Sequence, residues 1–354
     1  MAAPTEVFLQ LSLLLVIAVV SHFVIRQFRQ PTIIGEILIG IILGPSLLGR
    51  MGFFAFDESL IAIFAALGAI FLLFVVGLES DIRAIYTRRN FLVALGGVLL
   101  PLGFGFVVAY LMVPEIARGV GATQFTVALF VGATLVATST AIAASILLEM
   151  GLMQERIAQV IMGAVVVDDV LGLLILSIVV GMSRGAFDAF SVGKVIILAV
   201  VFLVVAIVMG LYLFRRAVVQ IQAAAARLGI RHGGFITAMA ITFLYAFVAE
   251  ALGLSAIIGA FVAGTLFATT ALREEFKEGA GYLGAIFTPI FFISLGLLVD
   301  LGAVAAVPEF LPFAVVLTAV AIVTKVVGCA IPARLAKMTK NESLAVGWGM
   351  TPRG

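Results

Sequence analysis

Cysteine occurs once in 354 residues, at Cys329, which excludes an intrachain disulfide framework. Histidine occurs twice, at His22 and His232. With one cysteine, that leaves too few soft donors for a zinc or haem centre, and no cofactor is expected. Charge is scarce as well. Asp, Glu, Lys and Arg together make up 11% of the chain, against roughly a quarter in ordinary soluble proteins. The net charge of +2 is scattered over short loops and forms no basic patch, so a nucleic-acid partner is not expected.

Apolar sequence fills the space. Hydrophobic residues are 64% of the chain and the mean hydropathy is +1.29. A helix needs about 20 predominantly apolar residues to cross a bilayer, and such runs recur along the whole length. Spans are predicted at 8–26, 32–48, 59–78, 91–113, 124–147, 154–182, 193–214, 233–251, 256–272, 282–301 and 309–333. A twelfth apolar run starts at Ser343. The runs are unbroken and lack period-two alternation, which argues against a β-barrel. The first run has no basic segment before it and no small-residue cleavage site after it, so a cleaved signal peptide is not expected. The sequence therefore reads as one integral domain over 1–354, an all-α polytopic membrane protein surrounded by lipid.

Basic residues set the orientation. Loops after odd-numbered spans hold Arg26, Arg29, Arg83, Arg88, Arg89, Arg156, Arg215, Arg216, Arg227, Arg231, Arg273, Lys277, Arg334, Lys337 and Lys340. Loops after even-numbered spans hold only Arg50, Arg118, Arg184 and Lys194. The odd loops are expected in the cytoplasm and the N-terminus outside.

The chain also repeats itself. "IIGEILIG" at 33–40 returns as "IIGAFVAG" at 257–264, "LGAIF" at 67–71 returns at 283–287, and "GLESDI" at 77–82 returns as "GLLVDL" at 296–301. The second span then corresponds to the ninth and the third to the tenth. A shift of seven spans is odd, so the copies enter the membrane from opposite sides, as in the inverted repeats of secondary transporters. The first repeat is placed at about 32–182 and the second, incomplete, at about 256–354. The eleventh span becomes the twin of the fourth, and the last apolar run the twin of the fifth.

Both members of the fifth-span pair carry helix-breaking chemistry. Thr138, Ser139 and Thr140 offer three hydroxyls to freed backbone groups, and Pro352 with its flanking glycines interrupts "GWGMTPRG" at 347–354. A hydroxyl cluster can also bond back within an intact helix. Paired breaks in two halves are instead the sequence mark of a transporter's binding site, and two crossing broken helices are predicted.

Ile157–Gly181 contains two charged residues, Asp168 and Asp169, near its middle, and Lys325 lies inside the eleventh span. A charge at a helix centre costs about 2.5–3.5 kcal/mol on insertion scales. A purely structural ion pair accounts for one aspartate with Lys325 and leaves the other unpartnered. Adjacent helix residues point about 100° apart, so one carboxylate can pair while its neighbour faces an aqueous cavity. A carboxylate there can hold a proton or a metal cation in turn. An aspartyl protease needs two carboxylates that share a proton, which adjacent positions on one helix disfavour. A non-transporting scaffold would have no use for Lys325.

"IIGEILIGIILGPSLLG" (33–49), "LLFVVGLESDI" (72–82), "GAVVVDDVLGLL" (163–174) and "TPIFFISLGLLVDL" (288–301) resemble the bacterial monovalent cation:proton antiporters of the cation:proton antiporter-2 group. The resemblance covers nearly the whole chain. It implies a thirteen-span fold in which a core rocks against a dimerisation domain, hence a homodimer in the inner membrane. It implies exchange of sodium or lithium for protons, with potassium exchange or efflux as the alternative. Carried over, Asp169 binds the cation (Na+) and the proton, and Asp168 pairs with Lys325. Paired acids with a lysine resemble the electrogenic members; potassium-efflux relatives usually have glutamine before the aspartate. Family members continue beyond the position of Gly354, so the chain is expected to be truncated at its C-terminus.

Overall fold

The computed structural model describes residues 4–47, 49, 56–80, 87–114, 123–183, 189–302, 307 and 310–353. Regular structure among them is all helical, and eight helices are long and apolar enough to cross a membrane. The protein is an all-α, multi-pass membrane protein. In chain order the helices are α1 (Pro4–Gln27), α2 (Thr32–Leu43), α3 (Glu58–Leu78), α4 (Arg88–Met112), α5 (Gln124–Thr134), α6 (Thr140–Glu149) and α7 (Arg156–Ser183). There follow α8 (Ala189–Met209), α9 (Arg215–Arg227), α10 (Gly233–Ala251), α11 (Ala256–Phe267), α12 (Arg273–Leu297), α13 (Phe310–Leu335) and α14 (Lys340–Gly349). Among the residues used above for orientation and the repeat, Arg50, Asp81, Ile82, Arg83, Arg118, Arg184 and Gly354 lie outside the described residues.

Three spans differ from their hydropathy outline. The span at 32–48 and its twin at 256–272 each form a helix of only 12 residues, about 18 Å long at 1.5 Å per residue. Gly44 and Pro45 stop the first, since proline cannot continue a helix. The span at 193–214 runs on through a π-turn (Gly210–Phe214) into α9. Hydropathy falls there, but the alanine-rich "RRAVVQIQAAAAR" keeps helical propensity without being apolar.

The inverted repeat is visible in how glycines meet. Gly40 ends the first echo and Gly264 its copy; Gly77 opens the third echo and Gly296 its copy. A methyl built on Gly40 would lie 2.9 Å from Gly296 Cα, and one on Gly77 would lie 2.9 Å from Gly264 Cα. The contact between α2 and α12 is thus reproduced, with partners exchanged, between α11 and α3. The self-paired elements behave as a two-fold axis requires. α3 packs on its twin α12, where Thr288 Oγ1 donates to Gly68 O at 3.3 Å. α4 packs on its twin α13, with Gly96 and Gly328 each set against the other's carbonyl. Small residues at these crossings let backbones approach where lipid gives helices no hydrophobic drive to associate. Gly77→Ala is expected to cost about 1–3 kcal/mol through overpacking. A melting temperature equal to that of the parent in detergent would show that the crossing has slack.

The packing sorts the helices into two bundles. One holds α1, α2, α3, α10, α11 and α12; the other holds α4, α5, α7, α13 and α14. α6, which continues the chain from α5 into α7, packs on α7 of the second and also on α3 and α2 of the first. In the first bundle His22 Nε2 and the buried Glu36 Oε1 are 2.5 Å apart, tying α1 to α2.

Candidate ion-binding site

The fifth span breaks where its sequence stops favouring an unbroken helix. α5 ends at Thr134, residues 135–139 leave the helix, and Ser139 starts α6 as its N-cap by accepting from Ile142 N at 3.4 Å. The second break lies alongside. α14 ends at Gly349, and Pro352 O accepts from Ser139 N at 2.8 Å, so the two interrupted segments cross through their backbones.

Such a break leaves carbonyls at the end of α5 and N–H groups at the start of α6, with opposite partial charges. The carbonyl end meets two cations. Lys325 Nζ donates to Val136 O at 2.9 Å. Arg353 Nη1 donates to Leu135 O and, at 3.2 Å, to Ala137 O, while its Nη2 reaches Ala321 O on α13 at 3.2 Å. Of the three hydroxyl residues offered to the freed backbone groups, Ser139 is the one that bonds helix backbone among the described residues. Thr140 and Thr138 turn toward carboxylates, because the cations from α13 and the second break already take the freed carbonyls.

The acids come from α7 and divide. Asp168 Oδ1 accepts from Lys325 Nζ at 2.8 Å, and both side chains are fully buried. Gly97 on α4 lies against the same stretch of α13, where a methyl would come within 2.5 Å of Cys329 Sγ. Asp169 is only partly buried, and its Oδ2 accepts from Thr140 Oγ1 at 2.7 Å. Thr138 sits beside Asp168 short of hydrogen-bond geometry, and Thr138 Oγ1 and Asp168 Oδ2 have no hydrogen-bond partner among the described residues.

Both aspartates line a cavity of about 580 Å³ with Thr138, Ser139 and Thr140. Its far wall is Ser255, Ile257, Phe291 and Leu295 of the other bundle. The cavity thus lies between the bundles, on the membrane face where α10 passes into α11. Its carboxylate and hydroxyl oxygens are the donors that hard cations take. Among the described residues no three His, Cys, Asp or Glu side chains cluster as a metal site.

The chain matches the family model "Sodium/hydrogen exchanger, transmembrane" over residues 12–354. It belongs to that family. It is 30% identical over 352 residues to the Na(+)/H(+)-K(+) antiporter GerN of Bacillus cereus, covering 99% of this chain and 85% of GerN. It is 31% identical over 347 residues to a Na(+)/H(+) antiporter of Enterococcus hirae, covering 97% and 86%. The solved sodium proton antiporter MjNhaP1 of Methanocaldococcus jannaschii shares the fold, with a TM-score of 0.67 over 100% of this chain and 86% of that one at 18% identity. This exchanger-family chain is therefore an antiporter-type secondary transporter and not an enzyme. The expected C-terminal truncation is not borne out by the family match, which covers nearly the whole chain.

Arg353 is the site residue that the sequence reading passed over. It stands next to Pro352 in an apolar segment, and a charge in such a place is itself a signal.

Proposed function

We propose that this exchanger carries sodium or lithium in exchange for protons, with Asp169 holding the cation and the proton in turn. The carrying observation is the position of Asp169: a partly buried carboxylate, gripped by Thr140 from a helix break and open to a cavity between two bundles. One carboxylate cannot hold both ions at once. Return of the empty anionic site across the membrane is costly, so each crossing carries one ion or the other. Asp168 is held by Lys325 and keeps the neighbouring charge balanced. No cofactor takes part. We place the protein in the inner membrane, N-terminus outside, as a homodimer whose exposed apolar faces meet lipid.

Proteoliposomes with an acidic lumen test the cation. Addition of sodium or lithium is expected to release lumenal protons, and potassium to release fewer. GerN carries K(+) in its printed name, which makes potassium the second reading. Equal or greater release by potassium would favour it, and release by none of the three would overturn the exchange reading.

A further inference from the structure

The two bundles touch differently at the two membrane faces. On the cavity face they stand apart around Asp169. On the opposite face they are tied, and the tie runs through the far end of α6, the short helix whose first residue grips Asp169. Glu149, the last residue of α6, reaches the first turn of α2 in the first bundle. Its Oε1 and Oε2 accept from Thr32 N at 3.1 and 2.9 Å, and Oε2 accepts from Thr32 Oγ1 at 3.2 Å. Arg26 at the end of α1 adds a contact at 3.4 Å. The N-cap position of α2 is Pro31, which supplies no side-chain cap. A helix start without its own cap, held by a carboxylate from another helix, is a charge-assisted contact aligned with the helix dipole.

A second tie lies beside it. Gln154 Nε2, in the α6–α7 turn, donates to Glu79 O at the end of α3 at 2.7 Å. Beneath the ties, Leu147 and Met153 share one buried apolar cluster with Ile33 and Val76. On this face a pocket of about 580 Å³ reaches Arg26, Pro31 and Glu149. The apolar cluster separates it from Asp169, while the other face is open to the aspartate.

We infer that Glu149 is the latch of the closed face: its capture of the α2 N-terminus holds the carrier with Asp169 open to the cavity face, and it must let go for the site to open to the other. α6 joins the two events mechanically, because Thr140 and Glu149 are the two ends of one 10-residue helix. The inference rests on the alternating exchange proposed above, but its first test needs no transport.

Val76 is fully buried behind the latch, and Leu295 lines the cavity. Cys329 is fully buried and the parent chain serves as the labelling blank. A Val76→Cys protein is expected to react slowly with a membrane-permeant maleimide. Adding Glu149→Gln is expected to raise that rate about fivefold or more, the scale on which losing one charged cap shifts a two-state balance. In Leu295→Cys the same change is expected to leave labelling equal or slower. Faster labelling at both positions signals general loosening and overturns the latch, as does an unchanged rate at Val76→Cys in a folded protein. If Glu149→Gln does not fold, Thr32→Pro takes its place, since it removes the N–H and hydroxyl that Glu149 accepts from and leaves the carboxylate itself intact. The same rise in labelling is expected at Val76→Cys, without a rise at Leu295→Cys. An unchanged rate at Val76→Cys in that folded protein overturns the latch.

Discussion

Asp169→Asn is expected to reduce cation-driven proton movement to the leak of empty liposomes. Asparagine keeps the shape of the side chain and a carbonyl oxygen to accept from Thr140, so α6 should stay in place. What disappears is the negative charge, and with it the capacity to take either a cation or a proton. Asp168 is the other carboxylate on the cavity, and Lys325 already engages it at 2.8 Å. Binding can be read apart from flux. A ligand that binds only the folded state stabilises it by about 2.7 kcal/mol at a hundred times its dissociation constant. Saturating sodium should therefore raise the melting temperature of the parent and leave Asp169→Asn unmoved. Because cation and proton compete for one group, the sodium effect in the parent should weaken as the pH is lowered. Near-parental flux in Asp169→Asn, or an undiminished sodium-induced shift, would place the ion site elsewhere.

The parts of this site that were legible in the sequence are those whose physical cost leaves a mark on composition. Asp168, Asp169 and Lys325 stand out because a charge inside an apolar run is expensive wherever it sits. Gly40, Gly77, Gly264 and Gly296 stand out because two backbones in contact exclude a side chain, so the echo preserves glycine at both ends of each crossing. Directions were harder to read. Which of Thr138, Ser139 and Thr140 caps the helix and which faces a carboxylate depends on where the break turns the chain, and three adjacent hydroxyl residues look alike in sequence. The continuation of α8 into α9 was hidden because hydropathy tracks lipid contact, whereas alanine carries helix past it. Glu149 was invisible for a different reason. It sits at the end of an apolar helix where a loop begins, which is where a solvated charge ordinarily falls, and its partner Thr32 is 117 residues away.

Lys325→Ala is expected to lower stability by more than any other single change considered. The ammonium and the Asp168 carboxylate are both fully out of solvent, and removing one partner of a buried pair costs roughly 3–5 kcal/mol because the remaining charge is left uncompensated. The lysine also donates to Val136 O at the broken end of α5. An orphaned buried acceptor adds about 1–3 kcal/mol, and the end of α5 loses one of its two cations. These contributions separate in a double variant. Asp168→Asn added to Lys325→Ala removes the stranded charge but cannot restore the donor to Val136. The expected order of melting temperatures is therefore parent highest, double variant between, and Lys325→Ala lowest. Asp168→Asn alone should also fall below the parent, because it strands the lysine. Full recovery in the double variant would show that the carbonyl of Val136 finds another donor, with Arg353 the nearest candidate on the same break. A double variant no more stable than Lys325→Ala would show that Asp168 and Lys325 are neighbours without being energetically coupled.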